Sequence, residues 1–485
     1  MAQYKTPGVY VEEKSMLPPS VAGVATAVPA FIGYTELAAK RAIQPITSLL
    51  EYQTIFGEGK AITCENGKAK GQEYALFDSI RLFYDNGGGA CYVVSIGTYT
   101  DGVDAEKYKA AIKLLEQQSD VTILVLPDAA TLLKTATDLA SVQSAALDHC
   151  QVIGGRFTIL DVKMLEPTIK KENQQVGTDD KGKPIMEKVE TVVVPDIDQQ
   201  VLAFREGVKN NLCYGAAYFP YLKTTYKKDI PFDVVLKAIP EEVKKSKENV
   251  KAMELVGNIE KEADEAKKKL MINAAIQQLV GYAEALEKLQ DEASVIPPSG
   301  AIAGIYAATD ARVGVWQAPA NVGISSVKDL TTMISDSQQA KLNVDPETAK
   351  SVNAIRYFKG KGILVWGSRT LDGGSNEWRY VPVRRLFTYV EQSVKLSTAW
   401  AVFQPNDANT WIKIKCQIAN FLSTLWRDGA LAGATPDEAY FVEVGKGVTM
   451  TEDDINNGYL RVRIGLAAVR PAEFIVLEFS HKVNE

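Results

Sequence analysis

The runs CYVVS (Cys91–Ser95), VTILVL (Val121–Leu126) and FTILD (Phe157–Asp161) decide the reading of this chain. The middle run is apolar throughout and closed by Pro127, which is how a strand buried on both faces is written. Helical stretches are expected near Tyr74–Tyr84, at about 106–118 and at about 135–150. Between Asn86 and the first run, Gly87-Gly88-Gly89 provides the turn. Helix and strand therefore alternate, and this order argues for an α/β core around an at least partly parallel sheet.

Working outward, globular text begins at Ala30 with Phe31-Ile32-Gly33-Tyr34. Residues 1–28 before it hold a short strand-like run, Gly8-Val9-Tyr10-Val11-Glu12, among Pro7, Pro18 and Pro19, and little that could build a core. An extended arm is expected there, with Ser15–Val28, including Pro18 and Pro19, as its linker. Residues 29–225 are expected to form an α/β domain carrying a polar, turn-rich surface insertion near 163–200. Residues 226–296 are expected to be a helical insertion, a hairpin on the outer surface, with Val256, Ile259, Ala263, Ala266 and Leu270 as one apolar stripe. Glu241/Lys245, Asp264/Lys268 and Glu265/Lys269 are acid-first pairs at helical spacing. After Pro297-Pro298-Ser299-Gly300, residues 297–485 return to mixed text. They include helices at about 384–402 and 408–428, then strands through Leu460–Ile464 and Phe474–Phe479.

With 485 residues, 46% hydrophobic and 24% charged, the chain can bury a large core without lipid or disulfides. The 54 Lys and Arg against 60 Asp and Glu give a net charge of -6, which offers no broad attraction to nucleic acid or anionic membrane. Five scattered cysteines without a CxxC pair read as reduced thiols. The first residues, Met1-Ala2-Gln3-Tyr4-Lys5-Thr6-Pro7-Gly8, do not read as an apolar signal segment, and no run reaches the roughly 18 apolar residues of a membrane span. Synthesis and assembly in the cytoplasm are expected, with any later life outside the cell coming through release of a larger particle.

Catalytic material is scarce. His149 and His481 are the only histidines, too few for a multi-histidine metal site. His149 and Cys150 are adjacent, and side chains on neighbouring helical residues diverge by about 100°, which favours a structural role. Gly87-Gly88-Gly89 lacks the following Lys-Ser/Thr of a phosphate loop and leads into a strand. No catalytic, cofactor-binding or metal residue is assigned, no cofactor is expected, and no enzyme activity is expected.

Thr6-Pro7-Gly8-Val9-Tyr10-Val11-Glu12-Glu13, Pro297-Pro298-Ser299-Gly300, Ala303-Gly304-Ile305-Tyr306 with Thr309-Asp310, and Gly314-Val315-Trp316 are segments that together resemble those of the contractile tail sheath family. The likeness continues through Asn353-Ala354-Ile355-Arg356, Val365-Trp366-Gly367-Ser368-Arg369-Thr370, Val383-Arg384-Arg385-Leu386, Phe403-Gln404-Pro405-Asn406 and Leu425-Trp426-Arg427-Asp428-Gly429. Residues 226–295 depart from the family as an inserted decoration.

The resemblance implies an α/β (mixed α+β) multidomain tail-sheath fold, with extended N- and C-terminal strand arms and a helical surface insertion. It implies a subunit that polymerises helically in many copies around an inner tube protein, meets baseplate and tail terminator or cap proteins, and contracts to drive the tube through a target envelope. Such particles include phage tails and released extracellular injection systems, and neither nucleic acid nor membrane insertion is part of the expectation. In the family, terminal arms complete a sheet in a neighbouring subunit. Val9, Tyr10 and Val11 at one end, and Phe474, Ile475, Val476 and Leu477 at the other, are the arm strands expected here. A C-terminal helix meets the tube, for which 408–428 is the candidate, with Lys413, Lys415 and Arg427 facing an acidic surface. Trp411, Ile414, Ile418 and Leu422 fit equally well a helix that merely packs its own domain. The alternatives are a soluble α/β enzyme, on fold class alone, and another particle component, which leaves 297–485 unexplained.

Overall fold

The structure is a computed structural model that describes residues 20–165, 168–178, 184–193, 196–259 and 261–474. The chain forms two compact units, a larger one from residue 25 to 385 and from 471 onward, and a smaller one from residues up to 24 and 386–470.

The larger unit is built on a nine-stranded sheet. Its order is Val322–Gly323, Gly362–Val365, Asn353–Phe358, Gly215–Phe219, Phe157–Asp161, Ile123–Val125, Pro29–Thr35, Cys91–Thr98 and Ile43–Ile46. From Asn353–Phe358 to Cys91–Thr98 every neighbour is parallel, and antiparallel strands close both ends. A parallel sheet needs cover on both faces, and every residue of Pro29–Thr35 is buried. The pleat sends Phe31 into one core, with Val125 and Ile159, against the helices Leu76–Asp85 and Ser299–Arg312. Ala30, Ile32 and Tyr34 enter the other, against the helices Ala105–Leu114 and Ala136–Ile153.

The Pro-Pro-Ser-Gly segment starts the central helix Ser299–Arg312. Asp161, at the end of its strand, accepts the backbone N–H of Ser299 at 3.0 Å and the hydroxyl of the same residue. Gly300 and Gly304 then let this helix approach Leu76–Asp85 closely. A Cβ on Gly300 would lie 2.3 Å from the carbonyl oxygen of Ser79, and one on Gly304 2.5 Å from that of Phe83. Asp128 plays the corresponding part at the same edge of the sheet, just beyond the neighbouring strand Ile123–Val125, accepting the N–H groups of Tyr34 and Leu76 at 2.8 Å each.

The polar stretch near 163–200 holds a long antiparallel hairpin, Thr168–Thr178 with Pro184–Val193. Residues 226–296 are helical, but not as one hairpin. Five α-helices occur among the described residues of this stretch: Phe232–Ala238, Glu241–Lys244, Val250–Ile259, Glu265–Gln278 and Tyr282–Ala293. The expected stripe is broken because Asp264 caps a new helix, accepting from the N–H of Ala266 at 3.0 Å. Val256 and Ile259 are buried, Ala263 lies outside the helices, Ala266 is exposed, and Leu270 is 70% exposed. The ion pairs form at a spacing of three residues, Glu241–Lys244 at 2.8 Å and Asp264–Lys267 at 3.9 Å. Val235, Ile239, Tyr282 and Leu289 pack with Ile62 and Ala69 in a hydrophobic cluster separate from the two on the faces of the central sheet. By packing, the chain divides near residue 385.

In the smaller unit the helix Val381–Ser397 continues past residue 386, followed by Ala408–Arg427. Asp407 caps the latter, its side chain accepting from the N–H of Thr410 at 2.9 Å. The strands Tyr440–Val444 and Val462–Leu466 form an antiparallel pair.

Candidate functional site

For a chain expected to work by assembly, the candidate site is the set of surfaces and chain ends that could join copies. The sheet of the smaller unit is the first. It pairs Tyr440 with Leu466 through Val444 with Val462, and neither strand has a third neighbour among the described residues. Glu443 and Arg463 face each other across it at 3.2 Å, both partly exposed. Two strands alone are marginal in water, and each unpaired edge presents a row of backbone donors and acceptors.

The root of the N-terminal segment is held within the smaller unit. The N–H groups of Ala22 and Val24 each donate at 3.2 Å, to the hydroxyls of Ser397 and Ser393. These serines lie one helical turn apart on Val381–Ser397, so alternate backbone groups of an extended segment find a partner on each turn. Between them Gly23 passes against Tyr389, where a Cβ would lie 2.2 Å from the phenolic oxygen. Val9, Tyr10, Val11, Pro18 and Pro19 lie outside the described residues, as do Ile475, Val476 and Leu477. Phe474 is described, 75% exposed and outside any strand.

In the larger unit a buried polar network joins several of the quoted segments. The Arg385 guanidinium donates to Asp310 at 3.0 Å and to the carbonyl of Thr26 at 3.0 Å, and lies 4.6 Å from the centre of the Tyr306 ring. The Tyr306 hydroxyl meets that of Tyr218 at 2.7 Å. Burial pushes the Tyr306 phenol above its ordinary range. A second arginine, Arg369, forks onto Glu473, its Nε donating at 2.9 Å to one carboxylate oxygen while Nη2 donates to the other. Sequence reading quoted Thr309-Asp310, Arg384-Arg385 and Ser368-Arg369 without foreseeing these pairings. Their partners lie 75 and 104 residues away along the chain.

The helix Ala408–Arg427 packs its own unit with one face and leaves another exposed. Ile414, Ile418, Phe421, Leu422 and Leu425 are buried, while Trp411 is only half-buried. Lys413, Lys415 and Arg427 are all exposed, and the helix Ala408–Arg427 contains no carboxylate.

The histidine next to a cysteine is structural. His149 is buried against the Arg156 guanidinium; burial and then that cation push its pKa down to about 4. Cys150 is fully buried and its thiol is pushed up by the same desolvation. Asp128 and Asp161 have carboxyl pKa values raised to about 7 by burial, and both are occupied in holding backbone N–H groups. Among the described residues no group of three or more His, Cys, Asp or Glu is placed to hold a metal ion. Among the same residues, no helix is long and apolar enough to cross a membrane.

Residues 374–482 match the family model of the phage tail sheath C-terminal domain. The tail sheath protein of Vibrio phage KVP40 is 25% identical over 144 residues, and that of Enterobacteria phage T4 is 24% identical over 136. These stretches cover 30% and 28% of this chain but only 21% and 20% of the phage proteins, so the likeness spans about a fifth of their length. Solved structures match over the whole chain. The contracted-state sheath of an extracellular contractile injection system, PVC, has a TM-score of 0.63 at 27% identity, covering 100% of this chain and 99% of its own. The contracted helical sheath of the anti-feeding prophage has a TM-score of 0.62 at 29% identity, covering 99% and 100%. In sequence over residues 374–482, and in fold from end to end, the chain is similar to the contractile tail sheath proteins of phages and extracellular injection systems.

Proposed function

We propose that this chain is the repeating subunit of a contractile sheath, working by polymerisation and repacking and not by catalysis. The observation that carries the reading is the end-to-end likeness in fold to two contracted sheaths, at 27% and 29% identity. Many copies wind helically around an inner tube, baseplate and terminator or cap proteins bound the ends, and contraction drives the tube through a target envelope. Subunits are made and assembled in the cytoplasm and leave it with the particle.

Exchanged terminal segments link the copies in this reading. Support comes from the two-stranded sheet Tyr440–Val444 with Val462–Leu466, whose edges can each accept a strand. Val9–Val11 of one copy and Phe474–Leu477 of another are the segments proposed to fill them. Each added strand forms several backbone hydrogen bonds, on the order of 1 kcal/mol net apiece. A contact of this kind is heterologous and does not close on itself, so repetition generates a filament. Ser15–Val28 is the proposed linker, giving the strands slack to stay paired while the subunits turn. Lys413, Lys415 and Arg427 are proposed to face an acidic tube surface, supported by their exposure on a helix without carboxylates.

Negative-stain electron microscopy of the purified chain, alone and co-expressed with its tube and baseplate proteins, tests this reading. Hollow striated tubes are expected. Monodisperse particles under both conditions would remove it.

A further inference from the structure

The C-terminal end of the described chain is held in an unusual way. Residues 471–474 have no regular secondary structure, yet Glu473 makes three hydrogen bonds to one arginine. The distances from Nε are 2.9 and 3.1 Å, and the side chains of Arg369 and Glu473 are 5% and 19% exposed. A bidentate, largely desolvated fork of this kind fixes both position and direction.

The base of the fork is itself built into the central sheet. Asn353 on the strand Asn353–Phe358 accepts the N–H of Arg369 at 2.8 Å and donates to the carbonyl of the same residue at 2.8 Å. Its amide also reaches the carbonyl of Ala217 on the neighbouring strand at 3.1 Å. The guanidinium lies 5.8 Å from the ring centre of Tyr380. Arg369 is thus a rigid post, and Glu473 ties the chain to it one residue before Phe474, which is largely exposed.

We propose that the Arg369–Glu473 pair is the anchor from which the C-terminal segment, residues 474–485, leaves the larger unit to pair with a second copy of this chain. The inference rests on the reading that terminal segments link the copies. A strand tethered at a fixed point searches a small volume, and the ordering entropy spent before pairing falls accordingly. Arg369 and Glu473 are positioning residues, acting through the segment that follows.

Three variants of the full chain test this, with the concentration needed for tube formation read by sedimentation and the folding of the dissociated chain by thermal unfolding. Glu473→Gln is expected to raise the assembly concentration roughly tenfold or more, since a neutral amide cannot take the charge-assisted fork. A Gly-Ser pair inserted between Glu473 and Phe474 leaves the fork intact but frees the departure point. It is expected to weaken assembly while the melting temperature stays that of the parent, and so remains informative if Glu473→Gln fails to fold. Removal of residues 475–485 is expected to abolish tubes. If that truncation fails to assemble while the insertion variant and folded Glu473→Gln match the parent, the anchor is overturned and the linking segment stands. If the truncated chain assembles like the parent, the segment-exchange reading falls, and the anchor with it.

Discussion

In the larger unit six parallel strands lie between helices on both faces, with antiparallel strands closing the two ends of the sheet. In the smaller unit the strands Tyr440–Val444 and Val462–Leu466 have only each other among the described residues. The difference is one of completeness. A parallel sheet buried on both sides satisfies its backbone groups within one chain and gains stability from that burial. A two-stranded sheet leaves half of each strand's backbone groups to water or to a partner, and is marginal until another strand arrives. The first arrangement suits a subunit body that keeps its shape; the second suits a place where copies join.

The largest expected effect breaks the comparison at the joining side. Deleting residues 1–13 should leave a folded, soluble monomer that forms no tubes, checked by circular dichroism, sedimentation and electron microscopy. Normal-length tubes from that variant would mean that the N-terminal segment does not complete the small sheet.

On the larger unit, Arg385→Ala strands Asp310 without its partner and should cost about 3–5 kcal/mol, the usual penalty for breaking a buried ion pair from one side. Urea unfolding in the chain lacking residues 1–13 measures this without interference from assembly. A loss below about 1 kcal/mol would mean that the network around Arg385 does not hold the body together.

The buried carboxylates sharpen the contrast further. Asp161 has its pKa raised from 3.8 to about 7 by burial, so the folded state holds a proton that the unfolded state has released. Its contribution to stability is full below the unfolded value, falls as pH rises from about 4 to about 7, and changes little above that. Asp161→Asn should therefore lose less stability than the parent between about pH 4 and 7. Melting temperatures across that range would show it, and parallel curves would reject it.

The smallest effect on stability is expected for the cations of the exposed helix face. Changing Lys413, Lys415 and Arg427 together to Glu should shift monomer stability by no more than about 0.5 kcal/mol per site. Co-assembly with the tube protein should nevertheless weaken, and the loss should be largest at low salt. Unchanged pull-down of the tube would detach these residues from that surface.

Much of the body was legible in local sequence. Val121–Leu126 read as a buried strand because apolar side chains on both faces demand cover, and the alternation around it implied a parallel sheet. His149 and Cys150 read as structural from their adjacency, and the pairing of His149 with Arg156 fits that reading. The stripe through residues 256–270 misled because helical spacing carries on through a cap: Asp264 restarts the helix and turns Leu270 outward.

What the sequence by itself determined was the class of the core and the places of some of its strands and helices, among them Val121–Leu126 and Phe157–Asp161, together with a family resemblance, carried by matching segments, that is strongest after residue 297. The elements it placed depend on hydrophobic period and turn chemistry, which are local and additive. Tertiary structure alone decided which strands lie side by side, that the helices between 232 and 293 build a separate cluster with Ile62 and Ala69, and that Gly300 and Gly304 are demanded by a helix crossing. It also decided that Arg385 and Arg369 meet partners 75 and 104 residues away. Such pairings follow from how the chain returns on itself, and a residue carries no local mark of the partner that the fold will bring to it.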